Sequence, residues 1–429
     1  MRKLFDSHHK IERFGILFGI LMVFLIADLA LIAKRNVTLD KNSLASTSLY
    51  SSSFTTSRTQ QSGNILGIYA NEEQSRVFIL LEWNNINNVS TDATTYQLFL
   101  RGSKTNGNHA DMKSSPSGIL YMFGSTGYMG IYLENTVTDD DGNTVLEAFP
   151  SQILYMIVRA NDEIVGVTGS LNYADTSFNN YDQFDFYFNP GATNVTAVDF
   201  LEKDLEDMDV QTIYEELVIR SQETELKENL NAQLKSMVTD MQQIAEYTNR
   251  LTNLGISVSD MVDEIAGDTI VNQDGQIVGT FVYGGTEASV KDTDTLYLAT
   301  DYIVEGGLDL DWQSRSVTDG WLDDLRGDMT ITQYLSSLSS ASVTYSTLPR
   351  TWYYTDGTEF SYSSDIASST ETTINDTINS LTSAWNTYRS DKVTYQTTMQ
   401  LNLLKLENEY LSAGGYFTLN DSEGMLYLW

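Results

Sequence analysis

An acidic loop contains the side chains whose spacing comes nearest to a metal site. Asp139, Asp141 and Asn143 alternate along the chain, as do the oxygen ligands that open the calcium-binding loop of an EF-hand. The pattern then stops, because Thr144 stands where that loop has its glycine and Pro150 where it has its final glutamate. We therefore predict an Asp-Gly hairpin turn. Calcium binding by the three alternating residues is the alternative.

Groups for nucleophilic or acid–base catalysis are sparse in this chain. It has three histidines, His8, His9 and His109, and no cysteine, whereas zinc sites are built mainly from these two residue types. No G-x-S-x-G sequence provides a serine nucleophile. Gly284 and Gly285 are not followed by the Lys and Ser or Thr of a phosphate-binding loop. We predict no catalytic residue, no cofactor and no resident metal.

Aromatic side chains cluster late in the chain and form the candidate contact surface. Trp and Tyr combine apolar area with a polar group, which suits contacts with proteins and sugars. The alternative interpretation is that alternate members fill a small core under a hairpin, since an Asp-Gly pair lies between them. The residues are Trp352, Tyr353, Tyr354, Phe360 and Tyr362.

An apolar run over residues 14–33 predicts a transmembrane helix, because about 20 residues span the hydrocarbon core. Its length and the lack of a cleavage site favour an uncleaved anchor over a signal peptide. Gly15 and Gly19, with Ala27 on the same face, could let two such helices approach closely. Asp28 could pair with a neighbouring helix or reach water at the outer end.

The net charge of −33 excludes nucleic acid as a partner, since no basic stripe is present to bind phosphates. We expect residues 1–13 to form a cytoplasmic tail, and the rest of the chain beyond the anchor to lie outside the plasma membrane. Residues 34–64 are rich in Ser and Thr and predict a flexible tether. In composition alone, this layout resembles surface proteins of Gram-positive bacteria.

Residues 65–195 predict an antiparallel β-sandwich. Short runs rich in aromatic and β-branched residues recur, as in residues 76–83 and 153–159, and turn residues separate them. No helical stretch intervenes, which is typical of an all-antiparallel arrangement.

Two stretches with apolar residues at four-three spacing predict long helices over residues 196–255 and 364–413. Asp199 and Ser368, each followed three residues later by a glutamate, can cap their N-termini. We expect the two helices to pair as an antiparallel coiled-coil hairpin. Lys392 falls in the apolar stripe by which the helices would pair, which we call the seam. A lysine there would lower the stability of the helix pair and set its register.

Residues 256–363 join the two helices and are predicted to form a small mixed α/β insertion at the tip of the hairpin. Residues 414–429 predict C-terminal strands. The expected fold class is therefore a membrane-anchored, multidomain α+β protein.

The function that these features favour is a non-enzymatic interaction or scaffold component of a cell-surface assembly. Its expected partners are membrane lipid around residues 14–33, and a protein or a surface glycan. Homo-oligomers could form through the membrane helix or the coiled coil. The first alternative is a glycan-binding adhesin that uses the sandwich or the aromatic cluster, and the second is a cell-surface hydrolase.

Overall fold

The computed structural model describes residues 46–87, 89–105, 108–163, 181–203, 209–258, 267–339, 351–414, 417–419 and 426–428. Across these ranges the chain is an α+β protein with many antiparallel sheets and two long helices, as the sequence predicts. No helix within these ranges is both long and apolar enough to cross a membrane. The expected anchor lies outside them, and so do the residues assigned to its helix contacts: Gly15, Gly19, Ala27 and Asp28.

The chain divides into two units, and the second is inserted into the first. The first unit comprises residues 1–212 and 413–429, and the second comprises residues 213–412. The strands of the first unit therefore come from the chain before and after the insertion.

Two sheets form the first unit. One has the strand order β1-β2-β3-β8-β7-β20, with β13 beside β2, and the other has the order β12-β11-β4-β21. All pairs are antiparallel except β13 with β2 and β21 with β4. The strands of these sheets are β1 Ser53–Thr55, β2 Ser62–Ala70, β3 Arg76–Trp83, β4 Tyr96–Gly102, β7 Ser117–Phe123, β8 Tyr128–Glu134, β11 Leu154–Glu163, β12 Tyr181–Phe188, β13 Thr196–Ala197, β20 Phe417–Leu419 and β21 Leu426–Leu428.

Two short hairpins complete the first unit, formed by β5 Lys104–Thr105 with β6 Asn108–His109 and by β9 Thr136–Thr138 with β10 Thr144–Leu146.

One hydrophobic core lies between the two sheets and contains side chains from both. On β12, Phe184, Phe186 and Phe188 alternate with more exposed residues and face this core, as the period of a half-buried strand requires. Phe184 stacks on Phe54 of the other sheet at 4.0 Å between ring centroids, and it meets Trp83 edge-on at 5.4 Å. These aromatic contacts hold the sheets face to face.

Strand β3 is buried on both faces, which explains its continuous apolar sequence. Phe78 points away from the core and meets Phe200 edge-on at 6.0 Å. It also lies over Gly130, where a Cβ atom would come within 2.0 Å of the Phe78 ring. Phe200 belongs to a short 3₁₀ helix, Asp199–Glu202. Asp199 is the first residue of this 3₁₀ helix, Val198 precedes it without a side-chain cap, and Glu202 accepts from the Glu72 amide instead. The capping box predicted at Asp199 and Glu202 is therefore wrong.

The second unit is built on two long helices. The first long helix comprises α1 Val210–Tyr214, a π-helical turn at Glu215–Ile219 and α2 Arg220–Asn253. The second long helix comprises α5 Ser369–Val393, a π-helical turn at Thr394–Met399 and α6 Gln400–Gly414. Ser368 and Glu371 form the predicted capping box. The extra residue in each π-helical turn interrupts the regular seam that the sequence indicated.

The two long helices run antiparallel. Gln233 donates to the Asp391 carbonyl at 3.5 Å, and Tyr214 donates to Glu409, so residue numbers rise along one helix while they fall along the other. The apolar face of α2 is buried, including Leu230, Leu234, Met237 and Met241, and this burial supplies most of its stability.

The segment between the long helices does not sit only at their tip, which corrects the expectation for residues 256–363. It contains two three-stranded sheets, with the orders β14-β18-β19 and β16-β15-β17. Its elements are β14 Ile256–Ser257, β15 Thr269–Asn272, β16 Ile277–Thr280, β17 Leu296–Ala299, α3 Trp321–Leu325, α4 Ile331–Ser339, β18 Trp352–Tyr354 and β19 Glu359–Phe360.

Most of this segment lies along the sides of the helices. Gly279 of β16 lies against Val238 and Met241 of α2, where an added Cβ atom would be 3.0 Å from Val238. Further along, the Val317 amide donates to the buried Glu223 carboxylate at 3.2 Å. Only the β14-β18-β19 sheet continues directly from the end of α2, since β14 begins at Ile256.

We expect Ser236→Cys combined with Asp391→Cys to form a disulfide within one chain. Ser236 Oγ lies 3.1 Å from Asp391 Oδ2 across the helix pair, which is close enough for a cross-link between short side chains. The chain has no other cysteine, so non-reducing electrophoresis after mild oxidation gives a clear result. The two single-cysteine variants are the controls. Covalent dimers without an internal cross-link would show that the helices pair between chains.

Candidate functional site

The Asp-Gly turn that the sequence predicts closes the β9–β10 hairpin, and it contains Asp139, Asp141 and Asn143, the residues of the alternative calcium interpretation. Asp139 Oδ1 accepts from the amides of Asp141 at 3.0 Å and Asn143 at 2.8 Å. The bonds from Asn143 hold the pKa of Asp139 below its usual value. Among the described residues, no group of three or more histidine or acidic side chains could hold a metal ion.

The predicted aromatic contact residues lie on and beside the β14-β18-β19 sheet. Tyr353 and Tyr362 are the most exposed, at 43% and 37%. Tyr354 and Phe360 are half-buried and meet edge-on at 5.8 Å. Trp352 is also half-buried and is paired with Phe360 across the strands. The structure therefore divides the cluster into two exposed tyrosines and a small packed group.

A cavity of about 370 Å³ in the first unit is the clearest candidate for a ligand site. It lies where β3 ends and β12 begins, and the loops before β2 and β4 contribute to its wall. Its lining comprises Thr56, Thr59, Gln61, Trp83, Val89, Ser90, Thr95, Tyr96, Val158, Ala160, Asp162, Asp182, Gln183 and Phe184. None of these lining residues is basic, and two are acidic, so the site disfavours an anionic ligand.

Trp83 lines this cavity with its ring. The side chain is 5% exposed, and its Nε1 is buried without a hydrogen-bond partner among the described residues. Because this nitrogen is inaccessible to solvent, a ligand in the cavity can contact the ring of Trp83 but not its N–H.

Two other polar residues of the cavity, Asp182 and Tyr96, are already held by the protein. Asp182 accepts from the amide of Arg58 at 2.7 Å and from the amide and hydroxyl of Thr59, so it organises the loop before β2. The Tyr96 hydroxyl donates to the Ser90 carbonyl at 3.1 Å, and burial raises the pKa of Tyr96 to about 12. These bonds fix the wall of the cavity before any ligand enters.

A buried ionic cluster lies at the centre of the second unit. Lys392 Nζ is 2.8 Å from Asp268 Oδ2 and 2.9 Å from Thr300 Oγ1, and the two charged residues are 1% and 2% exposed. Tyr388 donates to the same Asp268 oxygen at 2.8 Å. Burial, followed by the charge of Asp268, raises the pKa of Tyr388 well above its ordinary value. Lys392 therefore faces the connecting segment, where its carboxylate partner lies.

A pair of carboxyl groups lies at the interface between the long helices. Asp240 is 7% exposed, and burial raises its pKa to about 6, with a further contribution from Asp391 on the facing helix. Tyr388 is within electrostatic reach of Asp240. Two facing carboxyl groups avoid repulsion when one of them holds a proton.

No local pattern in the sequence indicates the cavity or the ionic cluster. Trp83 ends a strand in an ordinary way, and Asp268 lies 124 positions from Lys392. Only the tertiary fold brings these groups to their partners. No known protein family, curated protein or solved structure matches the chain.

Asp240→Asn should stabilise the protein above pH 6 and have little effect near pH 3.8. The folded-state pKa of about 6 exceeds the ordinary 3.8, so the folded chain binds the extra proton between these values. The stability that the protonated group contributes is present at low pH and is lost as the pH rises through 6. We expect a gain of about 1 kcal/mol, or about 2–4 °C in Tm, in thermal unfolding at the higher pH.

Asp376→Asn is the matched control, because Asp376 is exposed on α5. It should change Tm little at either pH. If Asp240→Asn changes Tm equally at both pH values, Asp240 does not hold its proton up to about pH 6 in the folded chain.

Proposed function

We propose that this chain is a membrane-anchored, extracytoplasmic binding protein that acts without catalysis as a component of a cell-surface assembly. In this proposal residues 14–33 hold the protein in the membrane, and the first unit is the ligand-binding head. The observation that carries the proposal is the cavity beside Trp83.

The size and lining of the cavity support this role. Ligand pockets usually enclose about 300–1,000 Å³ and combine mostly apolar walls with a few placed polar groups. The cavity has this character, with Trp83, Tyr96 and Phe184 in its wall and threonine hydroxyls among its polar groups. Part of the wall comes from loops on a rigid sheet scaffold, which is where binding residues concentrate.

A glycan-binding adhesin is the second candidate, and the polarity of the same cavity favours it. Asp162 and Asp182 disfavour an anion, and Trp83, Tyr96 and Phe184 form an aromatic part of the wall. A neutral sugar supplies hydroxyl groups that can donate to the two carboxylates and an apolar face for the aromatic wall. A protein partner would instead use exposed groups such as Tyr353 and Tyr362.

A glycan array that contains neutral and acidic oligosaccharides tests the ligand class on the full chain in detergent. We expect neutral glycans to bind, and Trp83→Phe to weaken this binding about tenfold, which corresponds to about 1.4 kcal/mol for the smaller aromatic surface that faces the sugar. Phenylalanine keeps an aromatic ring beside Phe54 and Phe184, so the core should remain packed.

Trp385→Phe is the matched control, since Trp385 is a buried tryptophan of the second unit and does not line the cavity. It should leave glycan binding unchanged. Binding of acidic glycans alone, or an equal loss of glycan affinity in Trp83→Phe and Trp385→Phe, would show that the cavity is not the glycan site.

Protease treatment of intact cells tests the anchor and its orientation. We expect the protease to remove the two units and leave a membrane-embedded fragment that contains residues 14–33. Protection of both units in intact cells, with cleavage only after lysis, would contradict an extracytoplasmic location. A mature protein that begins near Lys34 would contradict retention of the anchor.

A further inference from the structure

The Lys392–Asp268 contact is an ion pair, and it also brings together an amine and a carboxyl group, the two groups that condense to an amide. Both side chains are almost completely buried, and Nζ lies 2.8 Å from a carboxylate oxygen. Burial in a medium of low polarity lowers the free-energy cost of moving a proton from the ammonium to the carboxylate, a step that gives a neutral amine beside a carboxylic acid. A desolvated neutral lysine is a competent nucleophile toward a carbonyl carbon.

Two hydroxyl groups surround this contact where the reaction would need them. Tyr388 donates to Asp268 Oδ2 at 2.8 Å and can stabilise negative charge that develops on that oxygen. Thr300 Oγ1 lies 2.9 Å from Lys392 Nζ and 2.5 Å from Asp268 Oδ1. One hydroxyl therefore touches both the nucleophile and the other carboxyl oxygen, so it can pass a proton between them.

We propose that Lys392 and Asp268 condense to form an intramolecular amide cross-link. The neutral Nζ attacks Asp268 Cγ, and the electron pair moves to Oδ2, which accepts the Tyr388 hydrogen bond. Thr300 relays two protons from Nζ to Oδ1, the first before the attack, which makes the amine neutral, and the second after it, which turns Oδ1 into a water leaving group. The Cγ–Oδ1 bond then breaks, one water molecule leaves, and Oδ2 becomes the carbonyl oxygen of the new amide. No oxidant, reductant or further reactant is required.

The fold supplies the two conditions that favour this condensation. It holds the reacting groups in contact, which replaces a bimolecular encounter with an intramolecular one. It also excludes bulk water, at 1% and 2% exposure, so hydrolysis of the product is opposed. The link would join residues 124 positions apart in a chain that has no cysteine for a disulfide. This inference is independent of the ligand proposed for the first unit.

Mass spectrometry of the folded full-length protein tests the cross-link directly. We expect an intact mass lower than the sequence mass by one water molecule, and a branched peptide containing Lys392 and Asp268 after proteolysis. Lys392→Met, which removes the amine, should have its full sequence mass. An unmodified mass in the native protein, with both residues recovered in linear peptides, would overturn the proposal.

Dehydration at an Asp-Gly sequence is the competing source of the same mass change, and Asp274–Gly275 is one such sequence. It would persist in Lys392→Met and would map to a linear peptide, and that result would contradict the cross-link. Tyr388→Phe retains both reacting groups and removes the hydroxyl that touches Oδ2. It should slow formation of the branched peptide after refolding, whereas an unchanged rate would exclude the role assigned to Tyr388. If Lys392→Met does not fold, the peptide map of the native protein alone decides the question.

Discussion

The buried contact between Lys392 and Asp268 is the constraint on which the second unit depends. A buried charge without its partner is strongly destabilising, so each of these residues requires the other. Asp268 directly precedes β15, and Thr300 directly follows β17, so the cluster ties both strands to α5. Because β16 of the same sheet lies on α2, the contact also limits how the two long helices can be arranged.

A polar stripe continues this attachment along the second long helix. Tyr388, Lys392, Gln396 and Gln400 follow at four-residue steps, and each of them contacts the connecting segment. The side chains of Gln396 and Gln400 accept from the amides of Val304 and Leu310, and the backbone carbonyl of Gln396 accepts from Leu308. Four residues exceed one α-helical turn, so such a series drifts around the helix. The wider π-helical turn reduces this drift and keeps the stripe on one face.

Local patterns in the sequence account for much of the fold. Aromatic and β-branched runs indicated strands such as β3 and β11, and Ser368 with Glu371 indicated the start of α5. The same patterns could not show that Lys392 faces the connecting segment, because its partner is distant in sequence. They also could not place that segment beside the helices. Its short strands have no strong periodicity, and its loop after β17 and α3 are held by hydrogen bonds to Gln396, Gln400 and Glu407.

The cavity and the cluster show why function is harder to predict from this sequence than fold. Trp83 belongs to the hydrophobic core, and only the loops that close around it leave its ring beside a space large enough for a ligand. The calcium-like pattern at Asp139 is local, and the turn itself uses its oxygens. The candidate sites form where distant segments meet, whereas the local motifs form turns and caps.

Native-state hydrogen exchange of the full-length chain tests most directly whether the buried contact joins the connecting segment and the helices into one cooperative unit. If the contact joins them, the amides of β15 to β17 and those of α2 and α5 open with the same free energy, and Lys392→Met lowers this free energy equally in all of them. Independent, faster exchange of β15 to β17 while the helices stay protected would contradict a single cooperative unit.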